Sequence, residues 1–448
     1  MNRGDAPRVG WLAARPNHGL LVITLGYVAL VLYLSLIPFN FQPPPWDEWL
    51  ERVLAMRYYG TPINGLADWH VLFLIPAGFL FASVINAYSW GTLPRPAVAV
   101  GGFLVAALLA FGIEVLQITV PMRTSSLTDV VAGALGGALG AAVWWGAGRR
   151  LWNLVESATA RSSGRRGFEA LLWIYLLLYA VLALFPFDFA VTPAALGDVW
   201  ARGNQHWWIR EGCGGWGRCA GEAALDVVAA LPIGLLLALR VARARRSLLL
   251  ALLLGLVLGL VVEGLQLFSR SGITEGVSVV MRGIGVVLGA KLYVVIRNRP
   301  RWLVAPELRW WALILTPLYL AFTMYLTGVF AAEWNTAAAV GAELERLRFL
   351  PFYYHNFVGQ TEAAFSFVMT VVMYVPVGLA AWCVLPRLTG RHWLWAAALG
   401  ALWALVLETG KLLAVDARPD STSILIAACA AGLTYALMRM LAAQFAAE

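Results

Sequence analysis

Residues 98–120 read Val-Ala-Val-Gly-Gly-Phe-Leu-Val-Ala-Ala-Leu-Leu-Ala-Phe-Gly-Ile-Glu-Val-Leu-Gln-Ile-Thr-Val, an uncharged apolar run broken only near its end by Glu114 and Gln117. A run of this length and apolarity predicts a membrane-spanning helix. The acid within it is costly: roughly 2.5 to 3.5 kcal/mol at the bilayer centre, unless a polar cleft, a basic partner or the membrane interface relieves it. The pattern recurs as Glu263 with Gln266 and Glu408 with Lys411, so that 149 residues separate the first acid from the second and 145 the second from the third. Each polar partner follows its acid by three residues, on the same helix face.

Outward from these three acids, the 448-residue chain is 60% hydrophobic and only 13% charged, which excludes an ordinary soluble domain. Twelve apolar runs are read as spans, at about 20–38, 70–90, 98–120, 126–147, 168–186, 222–241, 247–268, 276–296, 308–330, 362–385, 392–414 and 422–443. The fold class expected is all-α, a polytopic membrane protein of about 12 transmembrane helices. The first run exceeds a usual signal h-region and lacks an evident cleavage site, so it reads as a retained anchor.

The net charge of +8 sits in arginine clusters at helix ends and short connections, among them Arg149, Arg150, Arg161, Arg165 and Arg166, then Arg240 to Arg246, Arg297 to Arg301 and Arg387 to His392. This distribution fits membrane topology and gives no reason to expect nucleic acid. With Arg3, Arg8 and Arg15 inside, every cluster falls on the cytoplasmic side; both termini are then cytoplasmic, in a cell membrane. Cys213 and Cys219 lie in one external glycine-rich loop, Glu211-Gly-Cys-Gly-Gly-Trp-Gly-Arg-Cys, where a disulfide and two free thiols both stay open. Cys383 and Cys429 fall within spans and read as small apolar residues.

The twelve runs group into three four-helix repeats: 20–148, 168–296 and 308–443, preceded by a cytoplasmic segment 1–19 and joined by basic linkers 149–167 and 297–307. Leu36-Ile-Pro-Phe-Asn-Phe after the first helix matches Leu184-Phe-Pro-Phe-Asp-Phe after the fifth. Pro76-Ala-Gly78, Pro232-Ile-Gly234 and Pro376-Val-Gly378 occupy corresponding helices, and six residues before each proline stand His70, Asp226 and Thr370. Gly133, Gly136, Gly137 and Gly140 form a small-residue face, expected to pack the units side by side. Between the first two helices of each unit runs a long segment; Trp46, Trp49, Leu50 and Val53 share one helical face suited to the membrane interface, with analogous stretches at 196–200 and 341–349.

Glu114-Val-Leu-Gln117, then Pro121-Met-Arg123, then Thr128-Asp129 and a glycine-marked last helix resemble the VanZ-like family, and His70 with Pro76-Ala-Gly78 falls in place as well. The second unit departs after Gln266, with Arg270 early, Glu275 in place of Thr-Asp, and Arg282 inside the helix. The third keeps Glu408, Arg418 and Asp420 but has Lys411 for the glutamine. The resemblance implies a link to glycopeptide resistance, through the family's founding member and teicoplanin, and names no reaction.

The candidate site is therefore the set His70, Glu114, Gln117, Arg123 and Asp129, with Asp226, Glu263, Gln266 and Arg270 in the second unit and Glu408, Lys411, Arg418 and Asp420 in the third. Arg123 is positioned to pair with Glu114 or Asp129. On the predicted topology these groups face the outer half of the membrane. Three functions are expected to compete. A binding or shielding protein would engage a membrane lipid, a lipid-linked precursor or another amphiphile, Arg123 and Arg418 holding its anionic group. A membrane enzyme would use His70 or Asp226 as base and Glu114 as acid. A transporter is disfavoured, because the repeats are parallel and the acids lie near one surface. No Ser-His-Asp arrangement, metal-ligand spacing or phosphate-cradling loop is legible, so neither cofactor nor metal is expected, and oligomeric state is left open.

Overall fold

In a computed structural model, the run that ends at Gln117 is a helix from Arg95, entered through Pro94 and Pro96 at positions where a missing N–H costs nothing. The structure describes residues 18–58, 69–159, 165–298, 307–328, 333–385 and 391–446, apart from residues 186, 188, 191, 204, 207, 209–215 and 416. Arg3, Arg8, Arg15, Arg161, Arg299, Arg301, Arg387 and Cys213 lie outside the described residues.

The chain forms two compact units, Met1–Val294 and Val295–Glu448. The first holds α1 (His18–Leu36), α2 (Trp49–Leu54), α3 (Trp69–Tyr88), α4 (Arg95–Gln117), α5 (Leu127–Thr159), α6 (Arg165–Leu184), α7 (Pro193–Ala201), α8 (Trp216–Arg240), α9 (Ala242–Arg246), α10 (Leu248–Gln266) and α11 (Gly276–Asn298), whose last residues pass into the second. The second continues with α12 (Glu307–Leu326), α13 (Ala337–Arg346), α14 (Gln360–Val384), α15 (His392–Leu413) and α16 (Ser421–Ala446). Eleven of these helices are long and apolar enough to cross a membrane. α12, the remaining expected span, is a 20-residue helix outside that set; Trp310, Trp311, Pro317, Tyr319 and Tyr325 dilute its apolarity. The molecule is an all-α polytopic membrane protein.

α5 is longer than the sequence suggests. Its 33 residues rise about 50 Å at about 1.5 Å each, well beyond a hydrocarbon core of about 30 Å, so the helix continues through Arg149 and Arg150 into the stretch expected to be a linker.

α3 and α5 make the most extensive helix pair, with α4 laid against α5 and α1 against α3. Their closeness has a simple cause. A Cβ on Gly78 would run into the main-chain carbonyl of Gly137, and one on Gly140 into that of Ile75. The expected role of the glycines as a face between units is corrected by this packing: they are used up inside one four-helix group, where only hydrogen lets the backbones meet. Gly234 against Val286, and Gly378 against Ala431, are placed in the same way. Pro76, Pro232 and Pro376 lie inside α3, α8 and α14, two residues before Gly78, Gly234 and Gly378.

The segments after α1, α6 and α12 each return to the turn that follows a later helix, α4, α10 or α15. Arg57 bridges Ser126 in parallel, and the two-residue strands β1 (Gln205–His206) and β2 (Thr274–Glu275) pair in parallel with His206 opposite Glu275. Asn335 binds the end of α15, its N–H donating to Leu413 O at 2.8 Å. The Pro-Phe steps carry a shared backbone feature: Phe39, Phe187 and Phe352 have φ of 63°, 65° and 63°, a left-handed conformation that bulky residues adopt rarely.

Candidate functional site

α4 ends at Gln117, where Ile118 N–H still donates to Glu114 O at 3.3 Å, and the chain turns through Pro121 into the cap of α5. Ser126 makes that cap: its Oγ accepts from Thr128 N–H at 3.0 Å, while its own N–H points back and donates to Glu114 Oε2 at 2.8 Å. The hydroxyl of Ser125 adds a bond to Glu114 O at 2.8 Å. Glu114 is 1% exposed, so these bonds replace the water it has lost. The other carboxylate oxygen, Oε1, faces His70 Nε2 at 3.7 Å. Asp129 completes the cluster, because ligand atoms of His70, Glu114 and Asp129 all lie within 4.8 Å of one another.

Two of the expected residues have other roles. Gln117 donates from Nε2 to Ser35 O at 3.0 Å and so ties α4 to the end of α1. Arg123 does not form the anticipated ion pair with Glu114 or Asp129; its Nε donates to Ile37 O at 3.2 Å, because the carbonyls past the end of α1 lack helical partners and attract the guanidinium. Its Nη2 is buried without a hydrogen-bond partner among the described residues. Burial lowers the Arg123 pKa, while the charge of Glu114 pulls it upward.

The same device recurs around the second acid. Glu263 Oε2 accepts from Glu275 N–H at 2.9 Å, and Gln266 Nε2 donates to Ala183 O at 2.8 Å. Oε1 here meets a guanidinium: Arg282 Nη1 lies 2.6 Å from Glu263 Oε1, and Arg282 Nη2 3.3 Å from Asp226 Oδ1. The cation that bridges these two acids is thus Arg282, whereas Arg270 sits in the turn with its carbonyl accepting from Arg202 Nη1 at 2.8 Å.

Around the third acid, Glu408 Oε2 accepts from Asp420 N–H at 2.7 Å and Oε1 from Lys411 Nζ at 2.8 Å. Asp420 caps α16 by accepting at Oδ1 from Thr422 N–H and Oγ1 at 2.9 and 2.6 Å, and its Oδ2 lies 3.3 Å from His355 Nδ1. Burial alone would raise the Asp420 pKa, but His355 and the Thr422 donors outweigh it and hold the carboxyl below its ordinary value. Arg418 lies over the Tyr354 ring, 5.4 Å from its centroid.

Each glutamate is thus held by the N–H of the residue twelve positions later, 126, 275 or 420. Main-chain donors have no residue signature, so this contact is invisible in the sequence. Arg282, noted inside its helix, was left out of the candidate set, and His355 was not singled out at all. An arginine inside an apolar helix is as strong a signal as the glutamates, whereas His355 lies in a loop with no periodicity. Cys219 is disulfide-bonded, whereas Cys383 and Cys429 are in no disulfide among the described residues.

Residues 20–152 match the family model described as VanZ/LLP1. The N-terminal segment is VanZ-like. That VanZ-like match covers all five residues of the first cluster and ends within α5. No curated protein and no solved structure matches the chain.

Proposed function

We propose that this VanZ-like protein is a non-catalytic envelope protein that binds an amphiphile at the outer leaflet through its anionic head group: a lipid, a lipid-linked wall precursor or a glycopeptide-type compound. We further propose that it is built as three tandem VanZ-like units, with the second and third serving as scaffolds. The observation that carries the binding reading is Arg123, anchored at Nε by Ile37 O yet with Nη2 buried and without a hydrogen-bond partner among the described residues. A guanidinium with spare donors at the ends of membrane helices is suited to a phosphate or carboxylate, which it can grip through two parallel bonds. Around Glu263 and Glu408 the analogous oxygen already carries Arg282 or Lys411, which supports assigning those clusters to structure.

Native mass spectrometry of the full chain with phosphatidylglycerol, phosphatidylethanolamine and a polyprenyl phosphate tests the proposal. Preferential retention of one anionic head group, reduced at least tenfold by Arg123→Ala, is expected. Equal retention of all three, unchanged in the variant, would sink it. The contact between His70 and Glu114 keeps a second reading, a membrane enzyme on a lipid-linked substrate, in play. Turnover of envelope lipids that Glu114→Gln abolishes would establish that alternative.

A further inference from the structure

His70 Nε2 and Glu114 Oε1 lie 3.7 Å apart, and one ligand atom from each of His70, Glu114 and Asp129 lies within 4.8 Å of those of the other two. Ligands of a single ion with bonds of about 2.0 to 2.2 Å stand about 3 to 4.4 Å apart, so small side-chain adjustments bring all three onto one centre. Residues on three structural supports contribute: His70 at the start of α3, Glu114 near the end of α4 and Asp129 in the first turn of α5. The Ser126 N–H on Glu114 Oε2 fixes the carboxylate so that Oε1 is the oxygen presented, an orienting bond of the kind that metal-binding carboxylates require.

A comparison within the chain points the same way. The oxygen that corresponds to Glu114 Oε1 receives Arg282 Nη1 in one copy of the arrangement and Lys411 Nζ in the other. Arg282 follows Glu263 by nineteen residues, the position of Gly133 in the first segment; Lys411 follows Glu408 by three, the position of Gln117. The positions that deliver a built-in cation elsewhere are thus a glycine and an amide here, and the neighbouring side chains are instead an imidazole and a carboxylate.

We propose that His70, Glu114 and Asp129 bind one divalent cation of the zinc or manganese class, in the place that a guanidinium or ammonium fills beside Glu263 and Glu408. One nitrogen and two carboxylate ligands suit borderline to hard divalent ions and leave coordination positions for an oxygen of a bound molecule. Arg123, held at Ile37 O, remains a separate anion-binding group. The suggestion that the ion grips a head-group oxygen alongside Arg123 rests on the head-group reading; ion binding itself does not.

The test uses untagged full chain in detergent, with Cys383→Ser and Cys429→Ser to remove competing thiol ligands, stripped by chelator and titrated with Zn²⁺ or Mn²⁺ alone. One equivalent per chain by elemental analysis is expected, with affinity at least tenfold weaker in His70→Ala and Asp129→Asn. Gln117→Lys, which installs the ammonium that serves Glu408, is expected to abolish binding in a protein that still folds, at a melting temperature lowered by loss of the bond to Ser35 O. Absence of stoichiometric metal in the parent overturns the proposal, as does metal retained by both His70→Ala and Gln117→Lys. Lipid retention measured with and without metal keeps the two readings apart: loss of head-group preference with metal still bound contradicts only the head-group reading.

Discussion

Arg282 has a side chain 8% exposed and touches both Asp226 and Glu263, two acids that no other ion pair among the described residues serves. Removing one member of such a buried set leaves its charges uncompensated, at a cost of about 3 to 5 kcal/mol. Arg282→Met is therefore expected to lower the melting temperature of the detergent-purified protein markedly, and Asp226→Asn with Glu263→Gln to restore much of it; an Arg282→Met protein that melts like the parent would contradict this account. Asp420 gives a pH prediction of definite sign. A carboxyl whose folded pKa is depressed contributes stability that is fully present above its unfolded value, about 3.9, and is lost as pH falls through the folded value. The stability difference between the parent and Asp420→Asn should hold from pH 7 down to about 4 and shrink below it, in melts recorded across that range. The acids, their i+3 partners and the aspartates were legible in the sequence, because a charge in an apolar run stands out. Their partners were less so: His70, Glu114 and Asp129 converge across separations of 44 and 15 residues, and the N–H groups that hold the glutamates belong to no residue type.

Elements meet where side chains are absent. α3 and α5 touch backbone to backbone at Gly78 and Gly137, so a larger residue at 78 has only main chain to displace. Gly78→Val is expected to destabilise the protein by about 1 to 3 kcal/mol or more through overpacking. Gly26→Ala in α1, where an added Cβ meets nothing within 4 Å, should be neutral or slightly stabilising, since alanine favours helix by about 1 kcal/mol. Equal melting temperatures for the two variants would contradict the packing described. Helix positions were readable because the apolar runs have bilayer length, and the Pro-x-Gly step marked the close crossings. What each glycine face packs against was not readable, since small residues serve contacts within a helix group and between groups alike. The course of α5 beyond Ala147 was misread for a related reason: Arg149 and Arg150 mark where a helix leaves the membrane, not where it ends.

At the scale of the whole molecule, the binding proposal requires that the three glutamate clusters open on the outer side, an orientation that rests on the arginine distribution. Thr124 and Ser271 are exposed in the turns after α4 and α10, and Ala417 is half-buried in the turn after α15. In a background with Cys213, Cys219, Cys383 and Cys429 replaced by serine, single cysteines at 124, 271 and 417 can be challenged with a membrane-impermeant maleimide on intact spheroplasts. All three are expected to label without permeabilisation. Labelling only after the membrane is opened would place the clusters on the cytoplasmic side and contradict the outer-leaflet site.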